Sequence, residues 1–151
     1  MFFILAEEHD LPLFGLGQLT CKREDMQRGL EPDCCFYVKN AALIGMKRKI
    51  DLDIDPPPDL MVEVDITNSS LDKFPIYESL GVPEVWRFDG KALTFHVLHR
   101  GSYIQKRHSP TFPGLALGVA IPKHIEKVVS QNPMPVLKEF RAWVKQHASK
   151  K

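Results

Sequence analysis

Hydrophobic and polar positions alternate along this chain at two periods, and the switches between them mark out its elements. Met1 to His9 reads as the last turns of a helix with no capping residue at its start. Leu11 to Arg23 holds β-compatible residues broken by Gly15 and Gly17, one irregular strand, and Glu24 to Leu30 is a polar loop. Cys34-Cys35-Phe36-Tyr37-Val38 is a short, near-continuous apolar run, the pattern of a strand buried on both faces. Residues 40–58 form a long connection ending in Pro56-Pro57-Pro58; within it Ile50, Leu52 and Ile54 alternate with Asp51, Asp53 and Asp55, which predicts an extended edge. The clearest strand is Leu60 to Ile66. One face carries Leu60, Val62, Val64 and Ile66, and the other carries Asp59, Met61, Glu63 and Asp65. That second face is wrong for a simple core.

Asn68-Ser69-Ser70 supplies capping chemistry for a helix through about Leu80, ended by Gly81. Pro75 fits only within a first turn, which argues for a late start. Glu84 to Phe88 is a strand, Asp89-Gly90 a hairpin turn, and Leu93 to Leu98 the return. Gly101-Ser102 turns into a further strand at Tyr103 and Ile104. A Pro- and Gly-rich passage, Pro110 to Gly118, leads to a helix near Pro122–Val129. A last helix from about Pro135 buries Val136, Leu137, Phe140, Trp143 and Val144 at helical spacing. This order predicts one α/β domain over residues 1–151 with a central mixed sheet.

Composition changes that picture in two ways. With 44% apolar residues in 151, a buried core is within reach. The net charge of +1 conceals a split: residues 1–99 hold 10 basic and 17 acidic side chains (net −7), and residues 100–151 hold 10 and 2 (net +8). Three cysteines, Cys34 and Cys35 adjacent, make no disulfide framework and point to reduced thiols in a cytoplasmic protein. No apolar run approaches the roughly 18 residues of a membrane span, and the N-terminus lacks the basic region and cleavage site of a signal peptide. The basic set after residue 100 lacks aromatic interleaving. A solvated face is its default reading and a phosphate-contacting surface the weaker one.

Candidate chemistry gathers in the acids, six of them between Asp51 and Asp65. Asp51-x-Asp53-x-Asp55 opens like a calcium loop but places Pro56 where glycine is required and Val62 where the closing glutamate belongs. A solvated edge is the reading for those three. Asp33, at the start of one buried strand, and Glu63, in the middle of another, differ. If the two strands pair, facing residues lie about 4.5–5.5 Å apart between Cα atoms, and two unpaired carboxylates that close repel. A hard divalent cation such as Mg2+ removes that cost, polarises a phosphoryl oxygen and activates water for phosphodiester hydrolysis. The alternative is a pair of surface acids. His96 and His99, three apart on a strand, point to opposite faces and read as ordinary polar positions; Cys34 and Cys35 read as small buried hydrophobes.

Three blocks in this order carry a resemblance: Arg28-Gly29-Leu30-Glu31-Pro32-Asp33, then Pro58-Asp59-Leu60-Met61-Val62-Glu63-Val64-Asp65, then Tyr77 through Gly81-Val82-Pro83-Glu84-Val85-Trp86. They resemble the Uma-two family of restriction-endonuclease-like proteins in the PD-(D/E)XK nuclease superfamily, from about Leu11 to Gly114. The resemblance implies a restriction-endonuclease-like αβββαβ core, with an extra β-hairpin and C-terminal helices added here. It also implies DNA as partner, Mg2+ or Mn2+ as cofactor, and, by analogy with nucleases that cut two strands, a homodimer. Carried over by position, Asp33 matches the first metal-binding aspartate and Glu63 the second acid. Two residues after Glu63, where the superfamily lysine would stand, is Asp65. In the family a lysine often lies on the following helix four residues before a tyrosine; here that is Lys73, before Tyr77. Asp65 is then either a third metal-site carboxylate or an exposed strand-end acid, and Asp59 reads first as the residue that opens its strand. The resemblance further implies several dozen residues ahead of Met1, with an N-terminal β segment and most of the first helix. An inactive homologue serving as a DNA-binding or subunit-pairing module is the competing expectation.

Overall fold

A computed structural model describes residues 1–17, 32–45, 47, 50–66 and 73–148. Its frame is a six-stranded sheet whose spatial order follows the chain: β1 (Phe14–Gly17), β2 (Cys34–Tyr37), β3 (Leu60–Val64), β4 (Glu84–Phe88), β5 (Leu93–His99) and β6 (Ser102–Lys106). Neighbours are antiparallel except β3 and β4, which run parallel. A parallel pair needs a crossover, and α3 (Phe74–Leu80) lies between the two in sequence. The remaining helices are α1 (Phe2–Glu8), the single turn α2 (Ala41–Ile44), α4 (Leu117–Ser130) and α5 (Pro133–His147). This is the mixed α/β, restriction-endonuclease-like architecture that the periodicity and the resemblance predict.

Each face of the sheet buries its own cluster. On one, Phe36, Leu60, Val62, Trp86, Phe88 and Phe95 meet Leu5 from α1, Leu117 and Ile121 from α4, and Phe140 and Val144 from α5. Phe2 stacks on Phe36 with centroids 4.5 Å apart, which seats α1 on the sheet. Opposite them, Cys35, Met61 and Val85 pack under Tyr77 and its α3 neighbours Phe74, Ile76 and Leu80. The first layer is three helices wide; on the second, among the described residues, the covering helix is α3, of seven residues.

Three expectations shift. Residues 50–55 are not an extended edge: the Asp51 carbonyl accepts from the Asp55 amide (2.6 Å), and the Asp55 carboxylate accepts from the Asp51 amide (3.1 Å) and pairs with Lys47 (2.5 Å). Aspartates offer the backbone this local alternative, and it outcompetes strand pairing here. The fourth helix begins at Leu117 and runs through Pro122, because Leu117, Ala120 and Ile121 bury against the sheet. Its first turn lies so close to β5 that a Cβ on Gly118 would stand 3.2 Å from the Leu93 carbonyl oxygen. The strand read as Leu60–Ile66 stops at Val64. The late start foreseen for the helix after residue 70 holds, with Pro75 in the first turn and Gly81 at φ 73° closing it; Asn68, Ser69 and Ser70 lie outside the described residues.

Part of the charge split is resolved inside the fold. Arg141 on α5 reaches across it to Glu7 (2.8 Å) and Glu8 (2.7 Å) on α1, while Lys127 pairs with Glu139 (2.5 Å) within the basic stretch itself. These basic residues hold helices together.

Candidate active site

The register of β2 on β3 sets Cys34 opposite Val62, Cys35 opposite Met61 and Phe36 opposite Leu60. Continued by one residue it sets Asp33 against Glu63, on the face that α3 covers. The Asp33 carboxylate accepts a hydrogen bond from the Val64 amide at 2.7 Å, which anchors it at the C-terminal end of β3. Asp33 is exposed and Glu63 buried, 4% accessible.

Helix α3 supplies what Glu63 needs at that depth. Lys73, at the residue that caps the helix, places Nζ 2.5 Å from Glu63 Oε2, and the Tyr77 hydroxyl donates to Glu63 Oε1. Residues four apart share one side of a helix, so one turn of α3 closes over both carboxylate oxygens. Burial pushes the Glu63 carboxyl above the ordinary carboxylate range. The bonds from Lys73 and Tyr77 pull it back, and the negative charge of Asp33 raises it again. The same aspartate, after burial, raises the Cys34 thiol, so little thiolate forms at neutral pH and nucleophilic chemistry there is disfavoured.

Asp33, Glu63 and Lys73 are therefore brought together. Asp65 is directed elsewhere: its Oδ2 accepts from Arg87 Nε at 2.6 Å. Among the described residues no group of three or more His, Cys, Asp or Glu side chains is placed to hold a metal ion. Asp59, at the far end of β3, accepts from the Val38 amide (2.8 Å), the Asn40 amide (3.0 Å) and Asn40 Nδ2 (3.0 Å), so it fixes the turn after β2. Two residues of the site escape a reading of the sequence as chemistry. Tyr77 stands out there only as a marker of the resemblance, although its spacing from Lys73 places both on one helix side. Arg87 lies directly across the ladder from Glu63, and only the β3–β4 register shows it.

In charge and donor type the pair fits a hard divalent cation: two carboxylates at facing positions, oxygen donors only, with one lysine beside them. A cation bound at Glu63 Oε2 would take the place that Lys73 Nζ holds.

Among the described residues no helix is long and apolar enough to cross a membrane. A search of curated proteins finds no match. The model of one family matches residues 2–126, from α1 through most of α4 and across the whole Asp33–Glu63–Lys73 cluster. The chain belongs to the Uma2 family, described as "Putative restriction endonuclease".

Proposed function

We propose that this protein is an endonuclease that hydrolyses phosphodiester bonds in DNA with the help of Mg2+, or Mn2+ in its place. The observation that carries this reading is the convergence of Asp33, Glu63 and Lys73 within the family match. Asp33 and Glu63 would hold the cation, which when bound polarises a phosphoryl oxygen and makes its water more acidic. Tyr77 holds Glu63 through Oε1 and so orients the carboxylate whose other oxygen would face the cation. The Lys73 ammonium, beside Oε2, would stabilise negative charge that builds on the phosphate. A cytoplasmic location and pairing of two copies for a double-strand cut belong to the same reading.

Supercoiled DNA incubated with the protein and Mg2+ or Mn2+ should be nicked or linearised. Asp33→Ala and Glu63→Ala should each lower that rate at least about 1000-fold, about 4 kcal/mol of transition-state stabilisation. Cleavage that persists in both variants would sink the mechanism.

One observation favours a second reading, a catalytically inactive DNA-binding or subunit-pairing module: both Glu63 oxygens are already engaged by α3. Calorimetry separates the two, since an inactive module takes up no Mg2+ at millimolar concentration.

A further inference from the structure

Along each strand the face that carries Glu63 passes from apolar to polar side chains, a row earlier on β5 and β6, where His96 and Gln105 lie level with Val85, than on β3 and β4. Met61 on β3, Val85 on β4 and Tyr103 on β6 belong to the cluster packed by α3. One step further along that face are Glu63, Arg87 and, on β6, Gln105, with Thr94 and His96 on β5. The ladders place Glu63 opposite Arg87, Arg87 opposite Thr94, and His96 opposite Gln105. Beside α3, Arg87, Asp89, Ala92, Thr94, His96 and Gln105 line an open groove of about 360 Å³. A sheet face meant for burial would carry apolar side chains here. This one carries hydrogen-bond donors.

Those donors are organised. Thr94 Oγ1 lies 3.3 Å from the Arg87 carbonyl oxygen and 3.1 Å from His96 Nε2, and the His96 ring packs on Phe74 of α3 with centroids 4.7 Å apart. Asp65 engages Arg87 through Nε, and among the described residues no acceptor takes the terminal N–H groups of the guanidinium; the side chain is 46% exposed. Burial, with the Arg87 charge adding to it, lowers the His96 pKa, so at neutral pH the ring is uncharged and carries one N–H; when the Thr94 hydroxyl donates to Nε2, that N–H is on Nδ1 and is the donor left for a ligand. The acids at the groove are Asp89, which lines it, and Asp65 and Glu63, which flank Arg87. Asp89 Oδ1 is tied into the β4–β5 turn by the amides of Lys91 (2.8 Å) and Ala92 (2.7 Å). With these acids nearby, the groove suits an acceptor of single negative charge, a phosphodiester, better than a multiply charged anion.

We propose that this groove is a phosphate subsite. Arg87, His96 and Gln105 receive a backbone phosphate of the same DNA strand whose bond is presented to Asp33, Glu63 and Lys73, and Thr94 holds the His96 ring in place. From Glu63 on β3 to Thr94 on β5 is two strand spacings, about 10 Å. The assignment rests on the nuclease reading for its choice of DNA, and it adds which part of the strand is held and by what.

The test is binding without chemistry: anisotropy of a fluorescein-labelled DNA duplex in EDTA, across a series of salt concentrations. Arg87→Gln should weaken binding about tenfold and reduce the slope of log K against log salt by about 1, while Arg87→Lys keeps most of the slope. His96→Asn should weaken binding about threefold. Lys138→Gln, on α5 against the opposite face of the sheet, should leave it unchanged. Arg87→Gln that folds normally by circular dichroism and binds with unaltered affinity and slope would overturn the subsite; if that protein still cleaves DNA, the nuclease reading survives alone. Loss of binding in Arg87→Gln, in a protein that never cleaves with Mg2+ or Mn2+, supports the subsite and rejects the nuclease. Tighter binding of a single-stranded RNA than of the duplex would overturn the assignment to DNA.

Discussion

Glu63 and Glu84 sit on neighbouring parallel strands, are 4% and 2% accessible, and have been buried for different ends. Glu84, at the start of β4 on the face of Trp86, accepts from Trp86 Nε1 (2.6 Å), from the Thr111 amide (3.1 Å) and from the Thr111 hydroxyl (2.5 Å). Every one of these partners is neutral. Each would be stranded without the carboxylate, which ties the loop after β6 to the sheet. Glu63, near the end of β3 on the opposite face, has a lysine, a tyrosine and a second carboxylate around it. Burial alone says nothing about which glutamate does chemistry. A carboxylate whose partners are backbone and neutral donors is a staple. One held between a mobile cation and a like charge is poised to exchange partners.

The largest effect on stability should therefore come from the staple. Glu84→Ala strands the buried Trp86 indole N–H and two part-buried Thr111 donors, and opens a cavity as well. Each orphaned donor costs about 1–3 kcal/mol, so a total of about 3 kcal/mol is expected. For a chain of this size the melting temperature should fall by roughly 6–12 °C in calorimetry. Cleavage per folded molecule should not change. A drop in stability under about 1 kcal/mol would erase the distinction drawn between the two glutamates.

Tyr77→Phe probes the other side of the comparison. The ring is fully buried in the cluster under α3, and phenylalanine keeps its shape while removing the donor to Glu63 Oε1. One hydrogen bond to a charged group is worth about 1.5–3 kcal/mol, part of which is recovered because Lys73 still pairs with Glu63. Cleavage should fall about tenfold and the calorimetric affinity for Mg2+ should weaken with it, while stability drops by about 1 kcal/mol. Lost stability with Mg2+ affinity unchanged would make Tyr77 a packing residue and nothing more.

The contrast was only half legible in the chain. The alternation of Leu60, Val62 and Val64 with Met61, Glu63 and Asp65 fixes which residues share a face, because the side-chain period of a strand is two. The expected meeting of Asp33 with Glu63 needed only that β2 and β3 pair, and their register provides it. What periodicity cannot carry is contact across distant elements. Glu84 meets Thr111 from 27 residues away, and Arg87 stands beside Glu63 through a ladder register that no local pattern encodes. The aspartates of 51–55 misled for a different reason, since their side chains bond to nearby backbone and override the alternation.

Asp65 gives the smallest effect and the sharpest division between the two ends of these strands. Its pair with Arg87 is half in solvent, with the arginine side chain 46% and the aspartate 16% exposed. Exposed pairs contribute about 0–1 kcal/mol, so Asp65→Asn should lower stability by no more than about 0.5 kcal/mol, well below the loss from Glu84→Ala. Function should move in the opposite direction. With the carboxylate neutralised, Arg87 turns its full charge to the groove, and duplex affinity in EDTA should rise about threefold while cleavage changes by less than about threefold. A third metal-site carboxylate behaves otherwise: its removal would cut cleavage about 100-fold or more and weaken Mg2+ binding, leaving duplex affinity in EDTA where it was. Measured side by side on one variant, the two affinities decide whether Asp65 serves the cation or the arginine.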